Sequence, residues 1–168
     1  WANRSCRAPT WSPRFTRADV AAIEHSKLIH WTFSGCYPGL HFTTYPQHAF
    51  RTPCSEELIR ITRAPRLTAD NGLRFWCSAE RTDDWSTREH YFAPYLHGAE
   101  FEPISEETFN RMVMESSSEL VAPLPLPLHP PTGFVGALLM YSMRTDFTVS
   151  VLAEYEDEFI HYFWTTSA

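Results

Sequence analysis

The residues in this chain best placed to do covalent chemistry are Cys36 and His41, a thiol inside the turn Ser34-Gly35-Cys36-Tyr37-Pro38-Gly39 and a base just beyond it. A cysteine nucleophile needs a base within hydrogen-bond reach and a third group to orient that base. No third group is identifiable, and neither residue lies in a known family signature. His25 and His30 are five apart and do not share a helix face, so they form no ligand pair. Glu154, Glu156 and Glu158 would face the same way on a continued strand, as a calcium or magnesium site requires, but a solvated acidic turn needs no ion. Asp83-Asp84 reads as loop.

Cys6, Cys36, Cys54 and Cys77 are even in number, which permits disulfides in an oxidising compartment. No Cys-x-x-Cys pair occurs, so a zinc ribbon or thioredoxin-type motif is excluded and buried reduced thiols are the expected state. The chain has 6 glycines and no phosphate-cradling glycine loop, which argues against nucleotide binding of that type. The sequence therefore assigns no catalytic residue, cofactor or metal.

Charge is more informative than motif. The net charge of −6 hides an asymmetry, because residues 1–17 carry Arg4, Arg7, Arg14 and Arg17 and no acid, leaving ten basic and twenty acidic groups to the rest. Residues 1–17 thus read as a basic N-terminal arm and residues 18–168 as one acidic, β-rich domain. Such an arm suits nucleic acid, anionic lipid or an acidic surface on a neighbouring subunit, and the alternative is a solvated tail or transit-peptide remnant. The first residue is Trp1, which fits a processed product or a fragment. Thirteen arginines against the single Lys27 fit use at interfaces, where the planar guanidinium pairs with carboxylates bidentately.

The elements that would position these groups are mostly strands. Charged residues make up only 20% and aromatic residues 15%, which excludes a disordered chain; 13 prolines argue against an all-helical bundle. No apolar run approaches the roughly 18 residues needed to cross a bilayer. At 168 residues one domain is expected, burying roughly 68–70% of the surface of its unfolded chain.

In order, Thr16 with Asp19 opens a short helix over Ala18–Lys27. Leu28–Ser34 alternates as a strand through Ile29, Trp31 and Phe33, and is expected to form a hairpin with Leu40–Tyr45. Leu58–Thr68 reads as a strand with a bulge or edge position at Pro65, and Asp70-Asn71-Gly72 as a hairpin turn into a strand over Leu73–Glu80. Tyr91–Glu102, broken by Pro94 and Gly98, reads as irregular extended chain. Ser105 caps a helix whose face is Phe109, Met112, Val113, Ser116 and Leu120. Val121–Pro131 alternates proline with leucine and must be extended, either an SH3-type ligand or, as its apolar leucines favour, a segment laid against a protein surface.

Three runs then form an antiparallel meander. They are Phe134–Tyr141, the alternating run from Phe147 to Glu154, and the aromatic run Phe159–Trp164.

The stretch His129–Leu152, HPPTGFVGALLMYSMRTDFTVSVL, resembles the last strands of picornavirus-like capsid jelly-roll proteins. The features that carry the resemblance are Pro130 and Pro131 leading into the apolar Phe134–Tyr141, then a short turn, then Asp146-Phe147 opening a strand through Val149 and Val151. The resemblance implies an antiparallel β-sandwich of eight strands that assembles into a shell, with the N-terminal arm on the inner side and release from a polyprotein behind Trp1.

The expected fold is thus mainly β, a jelly-roll-like antiparallel β-sandwich with one or two short helices. The expected function is a structural, non-enzymatic subunit of a homo- or hetero-oligomer, in its most specific form a viral capsid protein of the virion. A second form is an accessory subunit of an organellar, mitochondrial complex. The rival from another class is a lipocalin-like β-barrel binding a small apolar ligand in an aromatic-lined pocket. An enzyme comes third, and would need a cleft bringing Cys36, His41 or an acid together.

Overall fold

The computed structural model describes residues 15–23, 37–52, 56–67, 72–83, 86–141 and 148–166. Six strands, β1 (His41–Tyr45), β2 (Leu58–Pro65), β3 (Glu100–Ile104), β4 (Phe134–Tyr141), β5 (Thr148–Tyr155) and β6 (Glu158–Thr165), form one sheet in the order β1-β2-β6-β5-β4-β3. Every neighbouring pair is antiparallel. The protein is mainly β, and the expected meander is present as β4, β5 and β6. Its register pairs Leu138 with Leu152 and Leu152 with His161.

Around the sheet, among the described residues, lie four α-helices, α1 (Arg17–Ala21), α2 (Leu73–Glu80), α3 (Glu89–His97) and α4 (Glu106–Ser116). Side chains alternate between the faces of a strand, and both faces of this sheet are covered. On the first face Ala64, Leu138, Met140, Leu152 and Phe159 pack under α2, α3 and the aromatic rings of Phe15 and Tyr37. On the second face Ile59, Ile61, Val151, Ala153, Ile160 and Tyr162 pack under Phe109 and Val113 of α4. The layers facing the sheet are helical; among the described residues a second sheet does not occur.

The proline-rich segment completes the second face. Leu120, Leu124 and Leu128 are buried there, while Val121 and Leu126 point outward. The segment is laid against this chain's own sheet. It is pinned at its start by Arg51 N donating to Glu119 O at 2.8 Å and Val121 N donating to Ala49 O at 3.0 Å. At its far end the buried His129 ring stacks on Tyr155 with centroids 3.7 Å apart and contacts Asp157 Oδ1 at 2.8 Å. Arg63 ties the same corner, donating to Leu128 O and pairing with Glu158 at 2.8 Å.

Two expectations are corrected. Leu73–Glu80 is the helix α2, not a strand. Its apolar run is short enough to satisfy either periodicity, and with every residue but Arg74 buried it reads as a helix enclosed on nearly all sides. Gly72, whose place after Asp70-Asn71 suggested a hairpin turn, adopts φ +89° and is instead the N-cap of that helix. Residues 91–102 are not irregular but form most of α3 and the start of β3. Pro94 is tolerated on the exposed side of α3, Phe92 and Leu96 turn into the core one helical turn apart, and Gly98 follows as the C-cap.

Pro65 occupies the edge position expected of it. It is the last residue of β2, two beyond the final β1 pairing of His41 with Arg63, so its missing donor faces no described strand on that side. Gly39, at φ +72°, approaches Pro65 so closely that a Cβ there would lie 2.8 Å from the proline ring. The predicted strand over Leu28–Ser34 and the turn at Asp70-Asn71 lie outside the described residues.

Candidate functional site

The densest group of titratable side chains among the described residues sits at the centre of the first face, and sequence reasoning missed it. The β2–β6 register sets Thr62 opposite His161 and Arg60 opposite Phe163, and the β5–β6 register sets Ser150 beside the same Phe163. Arg60, Thr62, Ser150 and His161 therefore share one face under the C-terminal end of α2. There Glu80, the last residue of the helix, drops its carboxylate onto the sheet.

Within this cluster His161 Nε2 lies 2.9 Å from Ser150 Oγ and 3.2 Å from Glu80 Oε1. The Tyr95 hydroxyl on α3 donates to Glu80 Oε2 at 3.0 Å. Arg60 passes 4.9 Å above the Phe163 ring and reaches Asp83 at 3.3 Å, where Arg88 also binds at 3.0 Å. The network thus runs from a sealed interior to the surface. Glu80, His161, Arg60 and Ser150 are at most 2% exposed, whereas the Asp83 side chain is 30% exposed.

A carboxylate at a helix C-terminus meets the unfavourable end of the dipole, and burial pushes Glu80 further toward protonation. The hydrogen bond and charge of His161, then Arg60 and Tyr95, outweigh that desolvation and hold its carboxyl below the usual glutamate value. Tyr95 moves the other way. Burial first, and the Glu80 carboxylate second, raise its phenol well above the ordinary range. Glu80 is thus an ionised acid held by Tyr95 of α3 and His161 of β6, with the charge of Arg60 on β2 favouring the same form.

A serine, a histidine and a glutamate in contact invite comparison with a nucleophile relay, and the geometry decides against it. A relay places the nucleophile on one ring nitrogen and the orienting acid on the other. Here Ser150 and Glu80 both address Nε2, and Nδ1 has no hydrogen-bond partner among the described residues. At 0% exposure His161 meets no substrate. The cluster is a structural network. Its signal in the sequence is weak but real: His161 alternates with Phe159 and Phe163 on one strand face, and Glu80 closes an apolar run.

The residues singled out by motif are scattered. His41 begins the exposed strand β1, with Nδ1 3.3 Å from Gly39 O, and Cys36 lies outside the described residues. Cys77 is buried in α2; the other cysteines, like His25 and His30, are outside the described residues. Glu154 is buried against Arg66 at 2.9 Å, Glu156 is exposed in the turn and Glu158 pairs with Arg63 on the opposite face, so the three do not converge. No three His, Cys, Asp or Glu side chains among the described residues are grouped to hold a metal. No described helix is long and apolar enough to cross a membrane.

Of the four arm arginines, Arg17 opens α1 and meets Glu100 of β3 at 3.3 Å on the surface. Arg4, Arg7 and Arg14 lie outside the described residues. Phe15, on the arm side of residue 17, is buried in the first-face core, edge-on to Phe101 at 4.9 Å and stacked with Trp76.

Two surface features remain. A groove of about 310 Å³ between α4 and the ends of β5 and β6 is lined by Glu57, Met112, Glu115, Glu119, Val149 and Trp164. Its acidic lining and open mouth differ from an enclosed apolar cavity. The second feature is the pair of sheet edges. At one edge β3 carries Glu100, Glu102 and Pro103, all exposed. At the other, β1 reads His-Phe-Thr-Thr-Tyr, with four of its five residues exposed and Phe42 at 50%. Comparison with protein-family models, curated proteins and solved structures finds no match to this chain.

Proposed function

We propose that this protein is a structural, non-enzymatic subunit of a larger protein assembly. The observation that supports the reading most is β1, which among the described residues pairs only with β2 and leaves its other side as the edge of the sheet. An edge strand exposes a row of N–H and C=O groups, and proteins that work alone blunt it with charge, proline or a covering element. The β3 edge has such protection in Glu100, Glu102 and Pro103, and β1 has no charged residue and no proline. An uncharged β-branched and aromatic edge is a template for another strand.

In its most specific form the subunit is a capsid protein. That form rests on the resemblance of residues 129–152, which on this fold are the end of the proline-rich segment and the β4–β5 hairpin. A jelly-roll sandwich would need a second sheet beyond the six strands described. The basic arm, with Arg4, Arg7, Arg14 and Arg17, is the part proposed to meet nucleic acid or an acidic neighbouring subunit. An accessory role in an organellar complex is the other form, in which different subunits cover the edge and the arm. The six described strands form an open sheet packed on both faces, which favours these readings over a lipocalin-like barrel.

The test is the mass of the purified chain by light scattering, with and without residues 1–14, a cut that leaves Phe15 in the core. A mass above 19.5 kDa that depends on concentration or on the arm supports the proposal. A monomer under all conditions, alone and with nucleic acid, overturns the self-assembling, capsid form and leaves only a subunit covered by other proteins.

A further inference from the structure

We infer that β1 pairs with β1 of a second copy, antiparallel across a two-fold axis through Thr43, joining two six-stranded sheets into one. The inference rests on the assembly reading and names the partner of its exposed edge.

Its first support is self-complementarity. The strand His41-Phe42-Thr43-Thr44-Tyr45 turned about Thr43 sets Thr43 opposite itself, Phe42 opposite Thr44 of the copy and His41 opposite Tyr45 of the copy. These are β-branched, aromatic with β-branched, and aromatic with aromatic pairs, the cross-strand combinations that stabilise antiparallel ladders. An isologous two-fold contact is also the commonest route to a homodimer.

The second support is the position of each side chain on the existing sheet. Phe42 and Thr44 lie opposite Thr62 and Arg60 and so share the first face, while Thr43 lies opposite Ile61 on the second. A two-fold perpendicular to the sheet joins first face to first face. It brings the half-exposed Phe42 of each copy into a diagonal relation that aromatic side chains can span.

Charge is the third. The chain carries −6, so most of its surface repels a copy, but β1 contributes no Asp, Glu, Lys or Arg to the contact. The opposite edge brings Glu100 and Glu102 to any β3–β3 pairing and faces them against the same residues of the copy. Of the two edges of the sheet among the described residues, β1 alone is compatible with self-pairing. Five residues of ladder bury less than the ~800 Å² per partner of a standard interface, so the dimer is reversible and its fraction rises with concentration.

The two-fold makes a specific test possible, because Thr43 is exposed and faces its own copy. Thr43→Lys places two ammonium groups opposite each other and Thr43→Glu two carboxylates, whereas a mixture of the two variants pairs opposite charges. Sedimentation velocity on the full chain across a dilution series should show wild-type dimers, about tenfold weaker association for either variant alone, and recovery in the mixture. Circular dichroism spectra should stay superimposable.

An assembly whose mass neither substitution changes overturns this pairing and leaves the assembly reading in place. A wild-type chain that stays monomeric throughout overturns the pairing, and it contradicts any reading in which the chain associates with itself. Weakened variants whose mixture fails to recover also overturn the two-fold geometry.

Discussion

The centre and the rim of this sheet treat polar groups in opposite ways. At the centre of the first face Glu80, His161, Arg60 and Ser150 are turned inward, closed off and held by one another. At the β1 rim the side chains carry no charge, and it is the backbone that offers hydrogen-bonding capacity to the outside. The titratable residues of the centre are held by one another inside the fold, and the recognition chemistry we propose lies in a strand with no titratable group other than His41 and Tyr45. On that proposal the cluster of acids and histidines is not where the partner binds.

The largest effect should come from breaking the centre. Glu80→Ala leaves the buried His161 and the Tyr95 hydroxyl without their carboxylate, while Arg60 keeps Asp83, and removal of one partner of a buried charge network costs about 3–5 kcal/mol. Urea unfolding should show that loss; a change below ~1 kcal/mol would mean that the network contributes little. The same residues predict an acid limit. Because Glu80 has a lowered folded value, the stability it contributes is present above the ordinary glutamate value and disappears as the pH falls through the folded one. Stability should therefore decline below about pH 4.5, and Glu80→Gln should flatten that decline while lowering stability near neutrality.

The alkaline side sharpens the comparison, because it involves both faces. Burial raises the phenols of Tyr95 on the first face and of Tyr155 and Tyr162 on the second. A raised folded value means stability that is intact below the unfolded value of 10 and is lost as the pH climbs toward the folded one. Absorbance of tyrosinate should therefore rise together with unfolding, not ahead of it, for the buried rings. Tyr162→Phe removes a hydroxyl that lies 2.8 Å from Ser116 Oγ and should cost about 1 kcal/mol.

The smallest effect belongs to the surface. Arg17→Ala loses an ion pair whose two side chains are 60% and 51% exposed, and thermal unfolding should shift by an amount close to experimental error.

How much of this was legible in the sequence follows from the range over which each signal acts. The meander at Phe134–Trp164, the Ser105 cap and the edge character of Pro65 are local signals, and they read correctly. Ser105 Oγ accepts from Thr108 N at 3.1 Å, and Asp19 accepts from Thr16 N at 2.6 Å, as the spacing predicted. The strand reading of Leu73–Glu80 failed because a run of eight residues, five of them apolar, satisfies two periodicities, and the choice was made by the layer they cover. The Glu80–His161 cluster joins residues 81 positions apart through a β2–β6–β5 register that no local pattern encodes. The contrast between edges was visible as composition, HFTTY against EFEPI, but which strands are edges is a property of the sheet order.

Hydrogen exchange of the full chain, read by mass spectrometry at two widely separated protein concentrations, bears most directly on this division of roles. The account predicts slow exchange across β6 and α2 at both concentrations, fast exchange of β1 in the dilute sample, and protection of β1, with β3 unchanged, in the concentrated one. Exchange at His41–Tyr45 that ignores concentration, or early exchange through β6, would contradict it.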